Sequence, residues 1–278
     1  MPTVVLQGPT ITPDAATHAA ECLRGVLDSR ASHVRIHTGQ PVQRDTIQRL
    51  RDGLRADVNL LPPDFDPGRV RLFITDMDST LIGIECIDEI ADYIGVKAQV
   101  AAITEAAMRG ELDFEQSLVR RVQLLAGLDA SALERVYEER LRLNPGAEAL
   151  IEGLKARGIK LALVSGGFTF FTERLKKRLG LDYTLANTLE IRQNRLTGRV
   201  LGNIVGAKAK ADFLASLCKA LNIHPAQAIA AGDGANDLLM LEQAGLSVAY
   251  HAKPALQAQA ATALNHCGLN GVLAFLEN

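Results

Sequence analysis

Apolar and polar positions follow two different periods along this chain, and the switches between them mark its elements. In the first 61 residues, short apolar runs predict strands at Thr3–Leu6, His33–His37 and Val58–Leu61. Between them, a three-to-four spacing predicts helices over Pro13–Val26, opened by Thr12, and over Arg44–Leu54. The stretch LPPDFDPG, residues 61–68, holds three prolines and a glycine and reads as a linker. A small α/β module over 1–68 is therefore expected ahead of a larger domain.

Beyond the linker, apolar runs end in polar or glycine-rich turns. They are Val70–Thr75 before DMDST, Ile159–Val164 before SGG, a hairpin-like stretch near 187–205, and Ala228–Ala231 before GDGAND. Helical patterns intervene, which predicts an α/β fold with a Rossmann-like, doubly wound parallel sheet. Between Ile84 and Leu143 the pattern is helical throughout. That predicts a helical cap over 84–143, inserted into a core of 69–83 and 144–278, with Asn144-Pro145-Gly146 at the return.

Composition narrows the function class. Thirty basic and 32 acidic residues leave a net charge of −2, and no Trp is present. Neither a basic footprint nor a base-stacking platform for nucleic acid is expected. No apolar run reaches the roughly 18 residues of a membrane span, so no membrane partner is expected. Four scattered cysteines without a CxxC pair point to reduced thiols and a cytoplasmic location.

Ligands of open α/β sheets bind beyond the carboxyl ends of the strands, where the polar clusters fall. Asp76 and Asp78 flank Met77, so a period of two sends both carboxylates to one side. They could share a divalent cation, with one acting as nucleophile and the other handling protons. An Asp-rich turn is the plainer alternative. Ser165, Gly166 and Gly167 could cradle an anion at a helix start, or form an ordinary turn. Asp233 follows a buried strand and could complete an oxygen site for Mg²⁺, while Asn236 and Asp237 suit helix capping. Lys210 lies three, four and seven residues before Phe213, Leu214 and Leu217, on their inward face, and there needs an anionic partner. A solvated lysine in a frayed first turn is its alternative. Arg121 falls in the apolar stripe of Phe114, Leu118 and Leu125, so its fork faces either a cap glutamate or a ligand anion.

Four ordered motifs, DMDST, SGG, Lys210 and GDGAND, resemble those of the haloacid dehalogenase superfamily of phosphotransferases. From about residue 70 onward the likeness is closest to its phosphoserine phosphatase family, through DSTLIGIECIDEIA, LDFEQSLVRRVQLLAGL, LVSGGFTFF, LTGRVLGNIVGAKAKADFL and AGDGANDLLMLEQAGLSVAYHAKP. The resemblance implies hydrolysis of O-phospho-L-serine, the last step of serine biosynthesis. Asp76 would be the nucleophile, Asp78 the acid and base, and Mg²⁺ would be held by Asp76, the Asp78 carbonyl and Asp233. Ser165, Gly166, Lys210 and Asn236 would bind the phosphoryl group. Glu85 would take the ammonium and Arg121 the carboxylate, with Phe114 and Met108 shaping the pocket; Glu85 could instead serve as a first-turn helix charge. A phosphotransferase acting on another small alcohol such as homoserine is the alternative. The resemblance also allows a homodimer. Some relatives carry ACT-type domains of pattern βαββαβ at the N-terminus, and the module read here is one strand short of that.

Overall fold

The computed structural model describes residues 1–277, apart from the side chain of Met108; the expectation for Met108 lies outside the described residues. The chain opens with β1 (Thr3–Gln7) and α1 (Pro13–Leu23). Thr12 caps α1 by accepting the Ala15 N–H at 3.2 Å. The helix stops where Arg24 turns left-handed at φ 49°. The expected helix through Val26 is therefore corrected, because Gly25–Ser29 forms strand β2. This is an edge strand with Val26 74% exposed, so it lacks the buried alternation that announces a strand. Then follow β3 (Val34–Thr38), α2 (Arg44–Leu54) and β4 (Asp57–Leu60). The four strands pair antiparallel in the order β2-β3-β1-β4. With β2 the segment has the full βαββαβ sequence of elements, which corrects the reading that it is one strand short.

The second sheet holds β5 (Leu72–Thr75), β6 (Lys160–Phe168), β7 (Tyr183–Arg192), β8 (Arg195–Leu201), β9 (Ala228–Gly232), β10 (Leu246–Tyr250) and β11 (Thr262–Leu264). Their order is β11-β10-β9-β5-β6-β7-β8, parallel except for the β7–β8 hairpin. The hairpin begins before, and ends short of, the stretch anticipated near 187–205. Strands β10 and β11 have no counterpart in the sequence reading. Both sheet faces are apolar: Phe73, Leu161 and Ile229 join one core cluster, while Leu72, Ala162 and Ala230 join another.

Between β5 and β6 the chain forms α3 (Cys86–Tyr93), α4 (Lys97–Met108), α5 (Phe114–Gln123) and α6 (Ser131–Arg135), followed by a π-helical turn at Val136–Arg140. A capping box sets the start of α5, with the Gln116 N–H donating to Asp113 at 2.7 Å. Exit and return run side by side: the Gly83 N–H donates to Arg142 O, and the Asn144 N–H to Leu81 O, both at 3.0 Å. Helices α7 (Ala147–Ala156), α8 (Thr169–Leu179), α9 (Ala207–Ala220), α10 (Leu238–Gln243) and α11 (Pro254–Gln257) accompany the second sheet.

Side chains join the two sheets. Asn59 on β4 donates to Ala263 O at 2.9 Å and accepts the Ala263 N–H at 2.8 Å, as a neighbouring strand would. Asp57 accepts the N–H groups of Asn265, His266 and Cys267 at 2.7–3.2 Å. Gln7 and Arg35 donate to the carbonyls of Gly271 and Ala274.

Candidate active site

The register of the parallel strands decides what meets at their carboxyl ends. Thr75 pairs with Leu163 on β6 and with Ala231 on β9, so Asp76 and Asp233 fall just past the ends of β5 and β9, beside Ser165 in the irregular stretch of β6 between Val164 and Phe168. Met77 turns into the core and is fully buried. Asp78 lies on the cleft side, accepting the Cys86 N–H at 2.9 Å and the Ser165 hydroxyl at 3.3 Å. Ser165 Oγ in turn accepts the Gly167 N–H at 2.7 Å. A Cβ on Gly167 would come within 2.6 Å of the Asp78 carboxylate, so this loop approaches Asp78 only because residue 167 has no side chain.

Lys210 on α9 is completely buried, as the helical periodicity predicts, while Lys208 is exposed and pairs with Asp212. The Lys210 ammonium donates to Asp76 at 2.5 Å and to Asp237 at 2.7 Å. The second oxygen of Asp237 accepts the N–H groups of Asp233 and Gly234 at 3.2 and 3.1 Å. Asp233 accepts the Thr80 hydroxyl at 3.1 Å, and its carbonyl accepts the Lys253 N–H. Carboxylate oxygens of Asp76, Asp233 and Asp237 all lie within 4.8 Å of one another. An all-oxygen set of this kind suits a hard divalent cation.

The charges are strongly coupled. Burial opposes the charge on Lys210, but Asp237 and Asp76 together outweigh it and hold its pKa up. One lysine between two carboxylates leaves an excess negative charge. Burial, offset in part by Lys210 and reinforced by Asp237, therefore pushes Asp76 well above the carboxylate range. Burial also raises Asp78, against the hydrogen bonds from Cys86 and Ser165. Asp233 rises to about 6, through burial and then Asp237.

The cap closes this cleft from the other side. Phe114, at the start of α5, lies over the SGG loop, 2.8 Å from where a Gly166 Cβ would be. Glu85, just before α3, accepts the Ser79 hydroxyl at 2.7 Å and is open to cleft water. Partial desolvation, with the charges of Asp78, Asp233 and Asp88, raises it to about 7. Arg121 is half-buried on α5, and its Nε donates to Ser117 O at 3.4 Å. Burial lowers its pKa, while Asp88, Glu85 and Asp78 raise it. The expected alternative of a salt bridge to a cap glutamate is not formed: among the described residues, no carboxylate lies within 4.0 Å of the guanidinium.

The family model for haloacid dehalogenase-like hydrolases matches residues 70–245, a span holding every one of these groups except Lys253. This chain belongs to that family. It is 53% identical over 221 residues to a phosphoserine phosphatase from Polaromonas, a match covering 78% of this chain and 94% of the relative. Among solved structures, it resembles a haloacid dehalogenase family hydrolase from Salmonella enterica serovar Typhi at a TM-score of 0.91 and 34% identity. That match covers 100% of this chain and 99% of the other. A substrate-bound phosphoserine phosphatase matches at 0.70 and 40% identity, covering 75% of this chain and 99% of its own.

In this hydrolase the core residues singled out from sequence, Asp76, Asp78, Ser165, Gly166, Lys210 and Asp233, converge at one end of the sheet. Glu85 and Arg121 face them from the cap side, and Asn236, half-buried, sits in the turn Ala235–Asp237 before α10. Asp237 is the residue whose position the sequence reading undervalued. The expected capping role holds, since its carboxylate accepts the Gly234 N–H at 3.1 Å, but the same side chain is also buried and binds Lys210, which the pattern does not announce. Its signal lay in an aspartate four residues after Asp233 at the start of a helix packed on the sheet. Asn187 gave no such signal, yet it donates to Gly166 O at 2.8 Å and accepts the Val205 N–H at 2.8 Å.

Proposed function

We propose that this hydrolase cleaves O-phospho-L-serine to L-serine and phosphate, the closing step of serine biosynthesis, through an aspartyl-phosphate on Asp76. The observation that carries this reading is one cleft with two chemically opposite ends. The core end is a cluster of acids around a buried lysine, and the cap end offers Glu85 and Arg121, suited to an ammonium and a carboxylate. The name of the Polaromonas relative supports the same substrate, and supports water over another alcohol as acceptor.

An Asp76 carboxylate oxygen attacks phosphorus, and the bond from phosphorus to the serine oxygen breaks. Asp78, whose raised pKa favours its protonated form, gives its proton to that oxygen. Asp78 then takes a proton from the water that attacks the acyl phosphate, which releases phosphate and restores Asp76. The Ser165 hydroxyl, the Gly166 N–H and the Lys210 ammonium hold the phosphoryl oxygens as charge develops on them, with Asn236 assisting. Asp76 and Asp233, with the Asp78 carbonyl, would hold Mg²⁺, and Asp237 would orient Lys210 and the Asp233 backbone. Bound there, the ion neutralises phosphate charge. Glu85 and Arg121 orient the amino-acid end, and Phe114 helps keep bulk water out. Four free cysteines support a cytoplasmic location for this reaction.

A screen of small phosphorylated metabolites, with Mg²⁺ and with EDTA, tests the reading. Phosphoserine is expected to be the best substrate, with release abolished by EDTA. Equal turnover of unrelated sugar phosphates, or full activity in EDTA, would overturn it.

A further inference from the structure

We infer that Asn144 is a positioning residue for both ends of the cleft: where the chain returns from the cap, its carboxamide fixes the turn that carries Ser79 and Thr80. This rests on the roles of Glu85 and Asp233 proposed above.

Directly after Asp76 the backbone makes a tight turn. The Met77 carbonyl accepts the N–H groups of Thr80, Leu81 and Ile82 at 2.9–3.3 Å, and Ser79 takes the left-handed conformation at φ 57°. A residue other than glycine keeps that backbone only where its surroundings enforce it. No helix continues the turn, so its carbonyls need donors from elsewhere.

Asn144 supplies them. Its Nδ2 donates to the carbonyls of Thr80 at 2.8 Å, Ile82 at 3.2 Å and Ser79 at 3.4 Å. Three acceptors around one atom identify that atom as the amide nitrogen. Asn144 is itself held through both backbone groups. Its N–H donates to Leu81 O at 3.0 Å, and its carbonyl accepts the Ala147 N–H at 3.1 Å. An aspartate of the same shape would have no donor to offer, and a serine would be shorter in reach.

From this turn two hydroxyls reach the two ends of the cleft. Ser79 donates to Glu85 at 2.7 Å, and Thr80, fully buried, donates to Asp233 at 3.1 Å. The residue that closes the cap insertion thus also sets the acceptor for the substrate ammonium and an oxygen offered to Mg²⁺. The plainer role, a lock that only stabilises the insertion, lowers the folded fraction and so the apparent kcat, and leaves affinities alone.

The test uses the full-length enzyme and two measurements: KM for phosphoserine at saturating Mg²⁺, and Mg²⁺ binding by calorimetry without substrate. Asn144→Asp keeps the shape, removes the donors and sets a negative charge against three carbonyls. It should raise KM and the Kd for Mg²⁺ each by roughly tenfold, a size typical of coupled neighbours. Asn144→Ala, which removes the donors without adding charge, should shift both in the same direction by about threefold or more. KM for p-nitrophenyl phosphate, which has no ammonium group, should change by less than about twofold in either variant. In a Ser79→Ala background, Asn144→Asp should add less than about twofold to KM for phosphoserine and keep its effect on Mg²⁺; in a Thr80→Val background, the reverse. A lowered kcat with both constants unchanged, or effects that persist in full in those backgrounds, overturns the inference and leaves the roles of Glu85 and Asp233 standing. If Glu85→Gln leaves KM for phosphoserine unchanged, or Asp233→Asn leaves Mg²⁺ binding unchanged, those roles fail, and the inference with them.

Discussion

The two ends of the cleft solve the problem of charge in opposite ways. At the core end, Lys210 is out of water altogether and bound to two aspartates, so each charge is fixed by another inside the protein. At the cap end, Glu85 is open to cleft water and Arg121 has no ion-pair partner among the described residues. A phosphoryl group in transfer needs donors that are already rigid, because reorganisation at the moment of reaction raises the barrier. An amino acid needs groups whose partners it can become. Internal pairing therefore serves the first task and would defeat the second.

The largest effect should come from the proposed nucleophile. Asp76→Asn should lower phosphate release from phosphoserine by roughly 10⁴-fold or more, with little change in thermal midpoint. Near-normal turnover would break the assignment of chemistry to the core end. Next is the buried pairing itself. Lys210→Met leaves Asp76 and Asp237 facing each other without a cation, and should cost about 3–5 kcal/mol in denaturant unfolding near neutral pH. An unchanged midpoint would mean that water reaches these carboxylates.

The smallest effect sharpens the contrast at Glu85. Its pKa of about 7 in the fold exceeds the ordinary glutamate value of 4.5, so the folded state binds its proton more tightly than the unfolded state. Whatever stability this adds is present below about pH 4.5 and lost as pH rises through 7. In EDTA, the stability of the wild type relative to Glu85→Gln should accordingly fall between pH 5 and pH 7.5. A flat difference would show that Glu85 is as fully hydrated as a surface glutamate. With Glu85 in its proposed role, the substrate ammonium reverses the preference by favouring the charged form, so phosphoserine should bind better above pH 7 than below.

Sequence showed most where a side chain contradicts its surroundings. An aspartate pair after an apolar strand, a lysine on an inward stripe and an arginine in an apolar face each demanded a partner, and each lies at the cleft. It showed least where partners are supplied by register or by distant backbone. Asp237 reads as a capping residue, which it is, and its second bond to Lys210 emerges only once α9 is seen beside it. Asn187 binds two backbone groups on either side of it in sequence, which no local pattern reveals. Strand β2 hides because an edge need not be apolar on either face, and β11 because three residues carry too little period. The cap's helices were legible as a class, since no strand pattern interrupts them.

The carboxamide of Asn59 has a further consequence. A sheet that ends in an exposed strand offers a row of unpaired N–H and C=O groups to any passing chain. Here β11 is the last strand, and Asn59 and Asp57 engage the backbone of Ala263 and of residues 265–267 just beyond it. The N-terminal sheet thus works as a selvedge, finishing the border of the catalytic sheet so that it does not fray into its neighbours. A chain trimmed back to the linker would first lose the ability to stay dispersed at high concentration.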